Sequence, residues 1–254
     1  MAIRGKSSGT RDAPLVNAVW KVGVVASTRT ETPTGRSIQI DVPGWGGNLA
    51  GQHVDVRLTA PDGYQAVRSY SIATASPGDR LELAVDRLPD GEVSPYLVDD
   101  LLPGDELELR GPLGGWFVWR PEQTGPVQLI GGGSGIVPLM AMIRAHAASG
   151  STARFRLLYS VRTAEDAFFV PELEQLASAC FSVDWVYTRV APEGWPVPAG
   201  RVGPRVLESS TIPASEMPAV FVCGPTGFVE AVADALVALG HAPASVKTER
   251  FGGK

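Results

Sequence analysis

The stretch Arg68-Ser69-Tyr70-Ser71-Ile72-Ala73 sets a guanidinium, a phenol and two hydroxyls ahead of an apolar strand end. A strand that served only a core would carry none of them. A guanidinium is a permanent cation that suits bidentate anions. A phenol ring gives a flat partner its aromatic face. A hydroxyl beside both can give or accept a hydrogen bond.

A second stretch, "PVQLIGGGSGIVPLM", reads as a strand, a glycine run and a helix start. Gly131, Gly132, Gly133 and Gly135 allow a sharp turn and a close backbone approach. Ser134, Ile136 and Pro138 open the helix, whose free N–H groups and positive dipole end make a cradle for a diphosphate. The pattern departs from G-x-G-x-x-G, since position 136 is Ile. About 20 residues on, where a dinucleotide fingerprint wants an acid, Ser160 and Arg162 stand instead. A Rossmann-type dehydrogenase is therefore disfavoured, and a nucleotide site of another topology is not.

Ligands of open α/β sheets lie beyond the carboxyl ends of the strands. Ser160, Arg162, Thr188, Arg189, Cys223, Gly224 and Pro225 are expected at such ends. Thr188-Arg189, hydroxyl plus guanidinium, suits a 2′-phosphate and leans the reading towards NADPH over NADH. A further phosphate-facing turn is expected at "GEVSPYLVDDL": Gly91, Glu92, Val93, then Ser94 as N-cap and Pro95 at the first helical position. In "KTERFGG", Glu249 and Phe251 are two apart, so a strand places them on one face.

Other candidates carry less. His53, His146 and His241 are scattered without metal spacing. Ser134 is no nucleophile elbow, because the second glycine of G-x-S-x-G is absent. The acidic runs read as solvated faces, and Trp45, Trp116 and Trp119 as core or interface.

The elements that hold these residues fall into two kinds. From residue 16 to about 120, six alternating runs bounded by Gly, Pro, Asp or Asn read as an antiparallel barrel. A short helix, "SPYLVDDLL", interrupts them. After Pro121, strands alternate with helices, which indicates a parallel sheet. The expected division is a flexible tail over 1–15, a β-barrel domain over 16–123 and an α/β domain over 124–254.

Composition limits the partners. The 254 residues carry a net charge of -5, against non-specific nucleic-acid binding. No apolar run approaches the roughly 18 residues of a membrane helix, so no membrane insertion is expected. "MAIRGKSSGTRDAP" lacks an apolar h-region, so no signal peptide is expected. Cys180 and Cys223 exclude a disulfide framework and are too few for a four-Cys iron–sulfur cluster. The cytoplasm is the expected compartment.

"RSYS", "GEVS", "GPLGG", "GGGSGIVPL", "CGP" and "ERFG" occur in that order. From about Val16 to Gly253 the chain resembles the ferredoxin–NADP reductase superfamily, and within it the reductase components of bacterial oxygenases. The resemblance implies an FAD-dependent NAD(P)H oxidoreductase. Arg68 would pair with the flavin phosphates, Tyr70 lie against the flavin, and Ser71 sit by its N5 edge. Gly91 to Ser94 would hold the FAD pyrophosphate, and Val85 and Arg87 line its ribityl or adenosine part. The NAD(P)H pyrophosphate would lie at Gly131 to Gly135. Phe251 would cover the nicotinamide-facing side of the flavin, with Cys223 and Glu249 completing the polar set. "GGK" follows Phe251, whereas plant-type members end on the aromatic. Electrons would pass to a separate protein: a ferredoxin, an oxygenase component or another metalloenzyme. A free-flavin or small-molecule reductase is the alternative enzyme, and a non-catalytic flavin- or nucleotide-binding electron-transfer adaptor the alternative of another class.

Overall fold

The structure, a computed structural model, describes residues 19–252; the tail expected over 1–15 lies outside them. Six antiparallel strands come first: β1 (Trp20–Thr32), β2 (Gly35–Asp41), β3 (His53–Thr59), β4 (Gln65–Ser71), β5 (Arg80–Asp86) and β6 (Glu106–Leu113). Their spatial order is β4-β3-β6-β1-β2-β5. A bridge between Ile72 and Leu83 joins the end of β4 to β5, the far edge, and curls the sheet into the expected barrel. Alternation fills its interior: Ile38 and Ile40, Val54 and Val56, Leu81 and Leu83, Leu107 and Leu109 are all buried. Removing one such side chain typically costs about 2–5 kcal/mol.

The second sheet holds β7 (Val127–Gly132), β8 (Phe155–Val161), β9 (Phe181–Tyr187), β10 (Ala219–Pro225) and β11 (Val246–Phe251). All its pairings are parallel, in the order β11-β10-β7-β8-β9. Helices α1 (Ile136–Ser149), α2 (Val170–Leu176), α3 (Pro204–Ser210) and α4 (Thr226–Ala238) connect the strands. Every residue of β7 is buried, as expected of a parallel strand covered on both faces. Leu129, Leu157 and Phe221 belong to the cluster that includes α1, while Ile130, Leu158 and Val222 pack with α3 and α4.

The chain leaves β7 towards β8 on one side and later returns to β10 on the other. The gap between β7 and β10 is therefore a topological switch point, where open α/β sheets bind ligands.

Helix α1 is apolar on more than one face over its first two turns. Its residues from Ile136 to Ile143 are all buried. The cause is a second neighbour. Met142 reaches the barrel at Gly51, where an added Cβ would lie 2.7 Å from its Cε and 2.0 Å from Phe117 O. A helix buried between two layers is apolar all round.

Two local expectations are corrected. The "SPYLVDDLL" helix is a short π turn over Tyr96–Asp100, and Ser94 is not its side-chain cap. The Ser94 hydroxyl instead accepts the Leu88 N–H at 3.0 Å, which closes the turn before the helix. Trp45 and Trp119 are buried as expected, but Trp116 is 63% exposed. It sits beside Gly114 and Gly115, with Lys247 Nζ 5.4 Å from its ring centroid.

Candidate functional site

A cavity of about 1000 Å³ lies where the barrel meets the carboxyl ends of the parallel strands. That is the upper end of the usual range for small-molecule sites. Strand β4 supplies Arg68, Ser69, Tyr70 and Ser71 to its wall, and Val85 comes from β5. Gly91, Glu92, Val93 and Ser94 form the next part of the rim. Gly132, Gly133, Ser134, Ser160, Arg162, Thr188, Arg189 and Pro225 close it from the parallel sheet, with Phe251 at the chain end.

Local chemistry holds these residues. The Ser69 hydroxyl donates to Asp55 Oδ1 at 2.6 Å across the β3–β4 pair. Arg68 donates to Val67 O and is ion-paired with Glu92, whose other oxygen accepts from the Tyr64 hydroxyl at 2.7 Å. Burial pushes the Tyr70 phenol up to about 12, against the pull of Arg68, so it stays protonated. Ser71 stands directly opposite His53 in the β3–β4 register.

The glycine run turns because Gly133 adopts φ 56°. Gly135 is required by contact: a Cβ there would lie 2.2 Å from Cys223 O on the adjacent strand β10. Gly131, Gly135, Ile136 and Pro138 thus form the wall behind the rim rather than its surface.

Cys223, Gly224 and Glu249 also stand behind the cavity rim. Cys223 is 1% exposed, and burial together with Glu249 raises its thiol, so it is neutral. Glu249 pairs with Cys223 in the β10–β11 register. Burial pushes its carboxyl up to about 7. Its Oε2 is buried without a hydrogen-bond partner, and its Oε1 lies 3.7 Å from His53 Nδ1. Burial lowers the His53 pKa, partly offset by Asp55.

Arg87 turns away from the cavity: its Nε donates to Asp99 Oδ2 at 2.6 Å. On β5, Asp86 borders the cavity alongside Val85.

Sequence reasoning missed several cavity residues. Thr32 and Thr34 come from the β1–β2 hairpin, Phe168 from the turn before α2, Phe228 from α4, and Arg201 from the loop after β9. The Gly200 N–H donates to Tyr187 O at 2.9 Å and ties that loop to the strand end. Arg162 and Arg189 are neighbours, since the Arg189 N–H donates to Arg162 O at 3.0 Å. Among the described residues, none of Arg162, Arg189 and Arg201 is ion-paired with a carboxylate. The signal available in the sequence was the number of arginines beyond the strand ends, Arg162 directly after β8 and Arg189 two residues past β9.

Among the described residues, no cluster of three His, Cys, Asp or Glu could hold a metal ion. No helix among them is long and apolar enough to cross a membrane.

Comparison with known proteins places this geometry. A family model described as "Oxidoreductase FAD-binding domain" matches residues 25–118, and "Oxidoreductase NAD-binding domain" matches 129–234. The chain is 32% identical to NADH-cytochrome b5 reductase 1 of Scheffersomyces stipitis, over 76% of this chain and 69% of that protein. It is 33% identical to the reductase component of propane 2-monooxygenase of Gordonia sp., over 86% of this chain. That match spans 63% of the relative, under two thirds of its length. In structure it resembles the FAD/NAD-binding domain of a nitric oxide dioxygenase from Vibrio cholerae, with a TM-score of 0.82 and 26% identity. That likeness covers 92% of this chain and 99% of the other. The chain therefore belongs to the ferredoxin–NADP reductase superfamily and is an FAD-dependent NAD(P)H oxidoreductase.

Proposed function

We propose that the protein is an electron-transfer reductase that takes electrons from NADPH through FAD and gives them to a separate redox protein. The observation that carries the reading is the composition of this cavity. An arginine, a phenol and a hydroxyl from β4 face it from one side, and a glycine turn at a switch point faces it from the other.

The donor set fits both groups. Arg68 supplies a cation for the flavin phosphates, and the Gly91–Ser94 turn a close backbone approach. The Gly132–Ser134 turn lines the cavity, and nothing stands within 4 Å of a Cβ built on Gly133, so the backbone there is open to a nucleotide pyrophosphate. When bound, FAD supplies a hydride acceptor that can release electrons singly.

The chain's own residues then have separate tasks. Tyr70, kept protonated, offers its ring as a platform. Ser71 holds a hydroxyl at the flavin's reacting edge. Phe251, 38% exposed, lines the cavity and would cover the nicotinamide-facing side of a bound flavin, shielding it from water. Glu249, with a carboxyl near neutrality and one unpartnered oxygen, holds a proton behind that face, and the Cys223 thiol fills the space beside it. Arg162, Thr188, Arg189 and Arg201 receive the adenosine end, and three unpaired guanidinium groups there favour a 2′-phosphate. The observation for the other nucleotide is the name of the first relative, an NADH-dependent reductase.

The relatives support a separate protein as acceptor. One is the reductase component of a monooxygenase, another a cytochrome b5 reductase. A ferredoxin, an oxygenase component or another metalloenzyme fits that pattern. The test is ferricyanide reduction with NADPH and NADH in parallel, followed by reduction of added ferredoxin. Dye reduction by either nucleotide, with ferredoxin reduced in turn, supports the reading. Turnover of free flavin alone would replace it with a diffusible-flavin reductase, and flavin uptake without any turnover with a binding adaptor.

A further inference from the structure

The barrel and the parallel sheet are joined by a partly buried cation. Arg144 lies on α1, about two turns beyond Ile136. Its Nη1 donates to Ala73 O at 3.0 Å and to Glu82 Oε1 at 2.9 Å, both in the barrel. Its Nε and Nη2 grip both oxygens of Glu172 on α2 at 2.7 Å. The Phe169 ring centroid lies 5.1 Å from the guanidinium carbon. Arg144 and Glu82 are 18% and 9% exposed at their side chains, so the fork is largely shielded from water.

Position gives this contact its meaning. Ala73 is two residues beyond Ser71 on the same chain. Helix α1 begins immediately after the Gly133–Gly135 turn. One rigid helix therefore holds the nucleotide turn at its first residue and the end of the Ser71 strand at Arg144.

A second contact points the same way. Phe169 adopts φ 61°, a costly conformation for a bulky residue. It thereby turns its N–H to Glu31 Oε2 of β1 at 3.2 Å. The neighbouring Phe168 ring fills the space over Gly35, where a Cβ would lie 2.3 Å from it.

We propose that Arg144 is a positioning residue for the hydride step: through Ala73 and Glu82 it fixes the spacing between the Gly133–Ser134 turn and Ser71. The proposal rests on the function proposed above. Misplacement of reacting groups by about 1 Å costs on the order of 100-fold in rate. The planar guanidinium fork fixes the directions of the groups it holds, as Lys at the same place would not.

The test compares Arg144→Lys, Glu82→Gln and Glu172→Gln in flavin-loaded protein. Arg144→Lys keeps the charge and loses the fork; Glu82→Gln weakens only the barrel arm; Glu172→Gln weakens only the arm within the parallel-sheet half. Three readouts are taken: flavin bleaching by NADPH or NADH in stopped flow, melting temperature, and hydrogen exchange at Ile72–Thr74. Arg144→Lys is expected to retain flavin and bleach at least tenfold more slowly, with faster exchange at Ile72–Thr74. Glu82→Gln is expected to follow it in smaller measure. Glu172→Gln is expected to lower the melting temperature and leave bleaching within twofold. Bleaching that merely tracks melting temperature across the three variants, or unchanged exchange at Ile72–Thr74, overturns the proposal. Should Arg144→Lys not fold, the Glu82→Gln and Glu172→Gln pair decides it. A wild-type protein that no nucleotide bleaches fails the function itself, a result distinct from failure of the variants alone.

Discussion

Glu249 and His53 come from different sheets yet meet, with Glu249 Oε1 3.7 Å from His53 Nδ1. Behind Glu249 lies the Cys223 thiol, and the second carboxyl oxygen has no hydrogen-bond partner. A carboxyl so placed is costly to ionise.

Stability should therefore depend on pH through Glu249. Its folded pKa of about 7 lies above the ordinary 4.5, a difference of about 2.5 units. The stabilisation is fully present below pH 4.5 and is lost as pH rises through about 7. At about 1.4 kcal/mol per pH unit, the loss is on the order of 3–4 kcal/mol. Glu249→Gln should melt higher than the wild type at pH 8 and level with it at pH 5. A constant difference across that range would contradict the buried carboxyl.

Arg68→Ala should purify with much less flavin. Its guanidinium is the cation on this stretch of the cavity wall, and Glu92 already balances it. Loss of a phosphate-pairing charge typically costs about 2 kcal/mol or more. Flavin-to-protein absorbance ratio measures the effect, and full occupancy would count against the phosphate contact.

Ser71→Ala should keep its flavin and its fold, because the hydroxyl borders the cavity and is not part of the barrel core. Flavin reduction should slow by about 10-fold or more, since one lost polarising group typically costs about 100- to 1000-fold. Stopped-flow bleaching that matched the wild type would remove Ser71 from the reaction.

Gly135→Ala should destabilise the protein by about 1–3 kcal/mol, since the added methyl meets backbone Cys223 O with no room to yield. For a chain of this length the melting temperature should fall by about 3–10 °C. Gly125→Ala, with nothing near its Cβ, is the control and should barely move it.

Local chemistry made part of the site legible. Arg68, Tyr70 and Ser71 are consecutive or nearly so, and the Gly131–Gly135 run has its own backbone logic. The strand ends at Ser160, Thr188 and Cys223 followed from the alternation of strands and helices. What long-range packing decides was not legible. Phe168 reaches the cavity because Gly35, far off in sequence, makes room for its ring. Arg201 arrives because Gly200 bonds the end of β9. Ser94 has the right type for a cap, but a nearer donor, the Leu88 N–H, takes its hydroxyl. Helix α1 is buried on all sides from Ile136 to Ile143 because the barrel covers the face that a lone α/β layer would leave to water.

The central claim is that the cavity joins a flavin to a nicotinamide nucleotide. The most direct measurement is the absorption spectrum of the purified protein under anaerobic conditions, with NADPH or NADH added in steps. The account predicts flavin bands that bleach at near-stoichiometric addition, NADPH being the more effective. A protein that stays colourless after FAD is supplied, or holds flavin that neither nucleotide bleaches, would contradict it.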